Sequence, residues 1–285
     1  MDGDPKPRAA VESTSRDRFR GALLGTFVGD ALGMPLEGGR RAGVYVREML
    51  PARLGRGTYT DDTQLMIALA EALLDTPGRL DLDRVARRFG EAFDFHRGYG
   101  GHAARILAMI QGGAGWRDAV KTHPLPGGSF GNGAAMRVAP VALAFHGDAE
   151  AVAEAAERQG EVTGHSHPFG TFGARTVALA VHRAIQRGVA GRPFDASGFL
   201  EEASRSVPYA LWCFLSSQDD PEEAVARAVN SGGDTDTMGA MAGAIAGAFH
   251  GESGWPDRWL SALENGEKGR DYVVGLADGF LVSQK

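Results

Sequence analysis

Two short acidic segments carry the residues best suited to chemistry. They are Thr60-Asp61-Asp62-Thr63 and Ser231-Gly232-Gly233-Asp234-Thr235-Asp236-Thr237, each directly before an apolar helix. Alone, the first reads as a helix start, with Asp61 as cap, Gln64 closing a capping box and acidic residues at the positive end of the dipole. One Ser, Thr or Asp is enough to cap a helix, so paired carboxylates with hydroxyls at both starts exceed what capping needs. If the helices lie side by side, Thr60, Asp61, Asp62, Asp234, Asp236 and Thr237 supply a set of hard oxygen donors. Such a set suits Mg²⁺ or Mn²⁺ and not a soft metal. Four carboxylates held together repel unless protons or cations intervene, and two divalent ions would balance them. No His-rich or Cys-rich pattern accompanies them, which disfavours zinc.

Asp30 continues the apolar face of Leu23 and Phe27, where a charge requires a partner. It either orients a ligand or metal-bound water from behind or bonds to backbone. Glu37 precedes two glycines and two arginines; on its own it reads as an exposed salt-bridging residue. The stretches Arg97-Gly98-Tyr99-Gly100-Gly101 and Gly127-Gly128-Ser129-Phe130-Gly131-Asn132-Gly133 either form tight turns or let backbone N–H groups approach phosphates, with an aromatic at hand for a base. Neither matches a P-loop or dinucleotide fingerprint. Thr163-Gly164-His165-Ser166-His167 adds two histidines, read as loop, core or ligand groups.

The elements that must position these residues are helices. Apolar spacings of three and four predict them over Asp17 to Leu32, Leu65 to Leu74, Leu82 to Phe93, His102 to Gln111, Glu150 to Arg158, Thr171 to Gln186, Asp195 to Ser204, Pro221 to Val229, Met238 to Phe249 and Arg258 to Leu263. Only Val44 to Met49 alternates like a strand, so the fold class is all-α. Gly239, Gly243 and Gly247 form a smooth stripe that invites close helix packing. The polar residues 1–15 read as a mobile tail and 16–285 as one domain.

Composition bounds the function. The chain has 285 residues, 43% hydrophobic and 23% charged, and a net charge of −6. That is ordinary for a folded protein and disfavours a general nucleic-acid binder. The apolar run Met238 to Phe249 is too short to span a membrane. A single cysteine, Cys213, suggests a reducing, cytoplasmic compartment. A soluble monomer is expected.

Taken together, Arg20-Gly21-Ala22-Leu23-Leu24-Gly25 through Glu37, Thr60-Asp61-Asp62, Gly128 to Pro140 and Ser231 to Gly251 resemble the ADP-ribosylglycohydrolase family, all-α enzymes with a binuclear magnesium or manganese centre. The Arg97 to Gly100 and Ser129 to Val138 segments are most similar to the branch that cleaves O-linked ADP-ribose from serine and degrades poly(ADP-ribose).

The resemblance implies that Thr60, Asp61, Asp62, Asp234, Asp236 and Thr237 hold two divalent cations, and that Glu37 is the catalytic acidic residue beside the scissile bond, with Gly38 and Gly39 as its hinge. It implies that Gly98, Tyr99, Gly100, Gly128, Ser129, Gly131 and Asn132 cradle diphosphate and ribose, that Phe130 stacks on adenine and that His165 lines the pocket. Asp30 takes the supporting place behind the metals. Two departures stand out: Phe130 occupies a position where the O-linked branch has tyrosine, and Gly164 separates Thr163 from His165, so His165 and His167 compete for one role. The expected partner is an ADP-ribosylated protein or ADP-ribose. An ADP-ribosyl-arginine hydrolase, a binuclear phosphohydrolase and a noncatalytic ADP-ribose binder are the alternatives.

Overall fold

A computed structural model describes residues 8–39, 44–195 and 206–283. Among them are fourteen α-helices and no strand: α1 (Arg8–Gly33), α2 (Asp61–Asp75), α3 (Leu82–Ala92), α4 (Gly101–Gln111), α5 (Trp116–Thr122), α6 (Gly133–Met136), α7 (Ala139–Ala144), α8 (Ala149–Gln159), α9 (Pro168–Ala190), α10 (Ser206–Leu215), α11 (Pro221–Val229), α12 (Thr235–His250), α13 (Asp257–Leu260) and α14 (Arg270–Ser283). The all-α expectation holds.

Helices α1 and α12 form the axis. Helix α12 is buried from Thr235 to Ala248 and α1 from Gly21 to Gly33, with Leu23, Phe27, Met241 and Ile245 at most 1% exposed. Glycines meet along the seam: a Cβ on Gly25 would stand 2.0 Å from the Gly243 carbonyl oxygen. The stripe at Gly239, Gly243 and Gly247 is therefore a backbone-to-backbone contact, matched by glycines of the same spacing in α1 that sequence reasoning did not pair with it. Around this axis α2, α9, α10 and α11 pack their apolar faces, α2 being buried from Leu65 to Leu73.

Several helix starts follow local chemistry. Asp81, Asp148 and Asp220 cap α3, α8 and α11, and Pro168 and Pro221 open α9 and α11. The cap of α2 differs from expectation. It is Thr60, whose Oγ1 accepts from the Asp62 N–H, and the Gln64 side chain does not return to the helix start. Gln64 Oε1 instead accepts from the Tyr99 hydroxyl at 2.6 Å.

Other differences are informative. Helix α1 begins at Arg8, so residues 8–15 continue it, where a tail was expected. Val44 to Met49 is irregular because the Asn230 side chain takes the place of a partner strand, accepting from Val46 N and donating to Val46 O, both at 2.8 Å. Helices α10 and α14, which the spacing did not single out, are present, whereas the helix expected beyond Asp195 lies outside the described residues. Arg258 to Leu263 is helical only to Leu260.

Candidate active site

The starts of α2 and α12 open onto one cavity of about 410 Å³. Asp61 and Asp62 enter from α2, and Asp234, Asp236 and Thr237 from α12. Glu37 enters from the turn after α1. Two backbone hydrogen bonds tie that turn to the second acidic segment: Gly38 N donates to Gly233 O at 2.8 Å and Gly233 N to Gly39 O at 3.2 Å. Gly38, Gly232 and Gly233 all have positive φ, the conformation that lets these turns pair so closely.

Beneath the carboxylates lies Asp30, fully buried. Its oxygens accept from Thr60 N and Thr63 N and from the hydroxyls of Thr60 at 2.8 Å and Thr63 at 2.6 Å. Asp30 thus holds the first turn of α2 against α1 with four donors. Burial still pushes its carboxyl up to about 6 against the pull of those bonds.

The cluster is electrostatically strained. Desolvation, then the charges of Asp30, Glu37 and Asp234, raise Asp61 to about 7. Desolvation and neighbouring carboxylates hold Asp62 and Asp236 well above the usual range. Asp62 Oδ1 is buried without a hydrogen-bond partner. Thr60 gives its one hydroxyl proton to Asp30, and its Oγ1 lies only 3.2 Å from Asp62 Oδ2. An orphaned oxygen buried among carboxylates that repel one another is what a hard cation satisfies, so these residue types fit Mg²⁺ or Mn²⁺.

The opposite wall is built from backbone and small groups. Gly98 and Gly100 line it, as do Ser129, Gly131 and Asn132. Ser129 N donates to Gly164 O at 2.8 Å, and its Oγ accepts from Gly131 N at 3.2 Å. Asn132 Nδ2 donates to Asp234 Oδ2 at 2.6 Å and Ser206 Oγ at 3.1 Å, joining this wall to the acidic one. His165 closes the back, buried, with its ring against Gly131 and Gly133. Burial and the Arg137 charge lower its pKa to about 3. His167 lies outside the cavity, where it caps α9 and its ring approaches those of Phe130 and Phe169. Between the two competing histidines, only His165 reaches the cavity.

Five expected residues do not line it. Thr60 and Asp30 lie underneath as supports. Tyr99 is buried and its side chain turned away, ring edge on Phe93 at 4.8 Å and hydroxyl on Gln64, so that the side chain braces the glycine turn. Gly128 packs on Ser166, where a Cβ would stand 2.3 Å from Oγ. Phe130 is 69% exposed at the rim.

Among the polar residues that line the cavity, His102 and Arg137 had drawn no role from sequence. Arg137 had a legible signal: a charge inside the apolar run Ala134 to Leu143. It is fully buried, stacks over Phe89 at 4.7 Å and bonds through Nε to Gln159 Oε1 at 2.8 Å. Burial lowers its pKa to about 9.

The chain is similar to known proteins over nearly its whole length. The family model for ADP-ribosylglycohydrolase matches residues 11–204 and 189–285. The ADP-ribosyl-[dinitrogen reductase] glycohydrolase of Rhodospirillum rubrum is 32% identical, with 87% of this chain and 90% of that protein covered. ADP-ribosylhydrolase ARH3 of Danio rerio is 29% identical, covering 94% of this chain and 92% of that one. A solved structure described as an ADP-ribosylglycohydrolase-related protein complex superposes with a TM-score of 0.74 at 29% identity, over 96% of this chain and 100% of that one. No helix among the described residues is long and apolar enough to cross a membrane. This chain belongs to the ADP-ribosylglycohydrolase family, and it is a glycohydrolase.

Proposed function

We propose that this enzyme is a metal-dependent (ADP-ribosyl)hydrolase that cleaves the bond at C1″ of the distal ribose in O-linked ADP-ribose, serine-ADP-ribose foremost, releasing ADP-ribose. One observation carries the reading: carboxylates from three separate segments face a wall of glycine, serine and asparagine across a single cavity. Thr60, Asp61, Asp62, Asp234, Asp236 and Thr237 would hold two divalent cations, Mg²⁺ or Mn²⁺. When bound, such ions supply positive charge at the ribose hydroxyls and Lewis acidity toward water.

The chain's own groups do the rest. Ser129, Gly131 and the Gly98–Gly100 turn bind the diphosphate and inner ribose, and Phe130 stacks on the adenine at the rim. Asp30 fixes the donor set from below. As the C1″–O bond breaks, Glu37 either protonates the leaving serine oxygen or takes a proton from the attacking water. A single carboxylate then does the work that most glycosidases divide between two. A reducing, cytoplasmic setting belongs to this reading, since Cys213 is a buried free thiol.

A second reading, ADP-ribosyl-arginine hydrolysis, uses the same donor set and differs only in the pocket for the leaving group. Both are tested by incubating the protein with serine- and arginine-ADP-ribosylated peptides, with Mg²⁺ and then with EDTA, and reading products by mass spectrometry. ADP-ribose released from the serine peptide and abolished by EDTA is the expected result. Release from arginine alone selects the second reading, and AMP or phosphate as product overturns both.

A further inference from the structure

At the back of the cavity three polar side chains form a chain of hydrogen bonds whose direction is set by its first member. Arg137 Nη2 stands 2.9 Å from Thr163 Oγ1, and Thr163 Oγ1 stands 2.9 Å from His165 Nδ1. All three residues are buried. A guanidinium only donates, so the Thr163 oxygen accepts from Arg137 and its single proton must go elsewhere. The Gly160 carbonyl is 3.4 Å away and already accepts the His165 backbone N–H at 3.0 Å. The near acceptor is His165 Nδ1. An Nδ1 that accepts a proton in hydrogen bonding carries none of its own, which puts the ring proton on Nε2.

The Nε2 edge faces the lining glycines: a Cβ on Gly133 would stand 2.8 Å from that atom, and one on Gly131 3.6 Å. These two positions keep the edge uncovered. We infer that Arg137 and Thr163 are positioning residues that fix His165 in its Nε2–H tautomer, so that the ring presents a donor to an acceptor oxygen of the ligand. The inference rests on reading the cavity as an ADP-ribose site, where acceptor oxygens abound. Burial, with Arg137 and His102 as the charged or titratable groups facing the ring, keeps His165 neutral, so it serves as a donor and not as a base. The opposing arrangement is an Nδ1–H donated to the backbone carbonyl of Thr163, which also lies against the ring.

The test begins with the full-length protein and a long-range nitrogen–proton correlation spectrum of its histidines, the His165 signals being identified by their loss in His165→Gln. A pyrrole-type Nε2 and pyridine-type Nδ1 are expected; the reverse pattern overturns the relay without reference to any ligand. The second arm measures ADP-ribose affinity by calorimetry in Mg²⁺. Thr163→Val keeps the shape and removes the hydroxyl, and should weaken binding about three- to tenfold while mixing the tautomers, with Thr163→Ser restoring both. Unchanged affinity in Thr163→Val overturns the donor role. Failure of the wild-type protein to bind ADP-ribose overturns the functional reading instead, and the spectrum still decides the relay.

Discussion

Gly29 and Gly239 meet backbone to backbone where α1 crosses α12: a Cβ on Gly29 would stand 1.9 Å from the Gly239 carbonyl oxygen, and one on Gly239 2.4 Å from that of Gly29. One residue further along α1 is Asp30, and one turn further Gly33 O accepts the Thr235 hydroxyl at 2.8 Å. The closeness of the seam therefore sets the spacing between the aspartate that anchors α2 and the segment that carries Asp234 and Asp236.

Filling that seam should be costly. Gly239→Ala forces the two backbones apart and is expected to destabilise the protein by about 1–3 kcal/mol. Urea unfolding measures this, with Gly275→Ala as control, since a Cβ there meets nothing and the residue is exposed on α14. Equal stability of the two variants would show that the seam relaxes freely.

Asp30 is a different kind of support. Asp30→Asn keeps the shape but replaces one acceptor oxygen with a donor in front of hydroxyls and N–H groups that all donate to it. The first turn of α2 loses its anchor, and metal affinity should fall about 10- to 100-fold, as for other groups that orient ligands from behind. Calorimetric Mg²⁺ titration checks it; unchanged affinity would confine Asp30 to folding.

The raised carboxyls give a pH signature. Asp30 at about 6 and Asp61 at about 7 bind protons more tightly when folded than unfolded, so their contribution to stability is greatest in acid and is lost as pH rises through those values. His165, lowered to about 3, acts in the opposite sense between that value and its unfolded one, so the total curve mixes both. Comparing melting temperature in Mg²⁺ and in EDTA isolates the acidic cluster. The gain from Mg²⁺ should grow between about pH 5 and about pH 8, because the cation replaces protons on these groups. A gain that does not vary with pH would place cation binding away from the cluster.

Glu37 is tested by removing its charge alone. It is exposed at the cavity mouth, so Glu37→Gln should fold normally and bind ADP-ribose as before. Turnover of the serine-linked peptide should fall about 10²- to 10⁴-fold, the range for loss of a positioned acid or base. Single-turnover kinetics with separately measured affinity check both halves, and a wild-type rate removes Glu37 from the chemistry.

Much of this protein is legible in its residues because the causes are local. Apolar spacing gives most helices and the all-α class, since a helix needs one buried stripe wherever its partner lies. The excess of Asp and Thr at Thr60–Thr63 and Ser231–Thr237 is more than capping requires, and both segments do open onto one cavity. The α12 glycine stripe announces a close contact, though not with which helix.

What the sequence could not decide is anything that depends on a partner distant in the chain. Whether Asp61 or Thr60 caps α2 is settled by Asp30, thirty residues earlier, which draws the Thr60 hydroxyl. Tyr99 turns from the cavity because Gln64, freed from the expected capping box, offers its hydroxyl a half-buried acceptor. His165 and His167 stand two residues apart, yet one meets Thr163 at the back of the cavity while the start of α9 takes the other as its cap. In each case several side chains could satisfy the local rule, and the choice falls to the donors and acceptors that packing brings within hydrogen-bond reach.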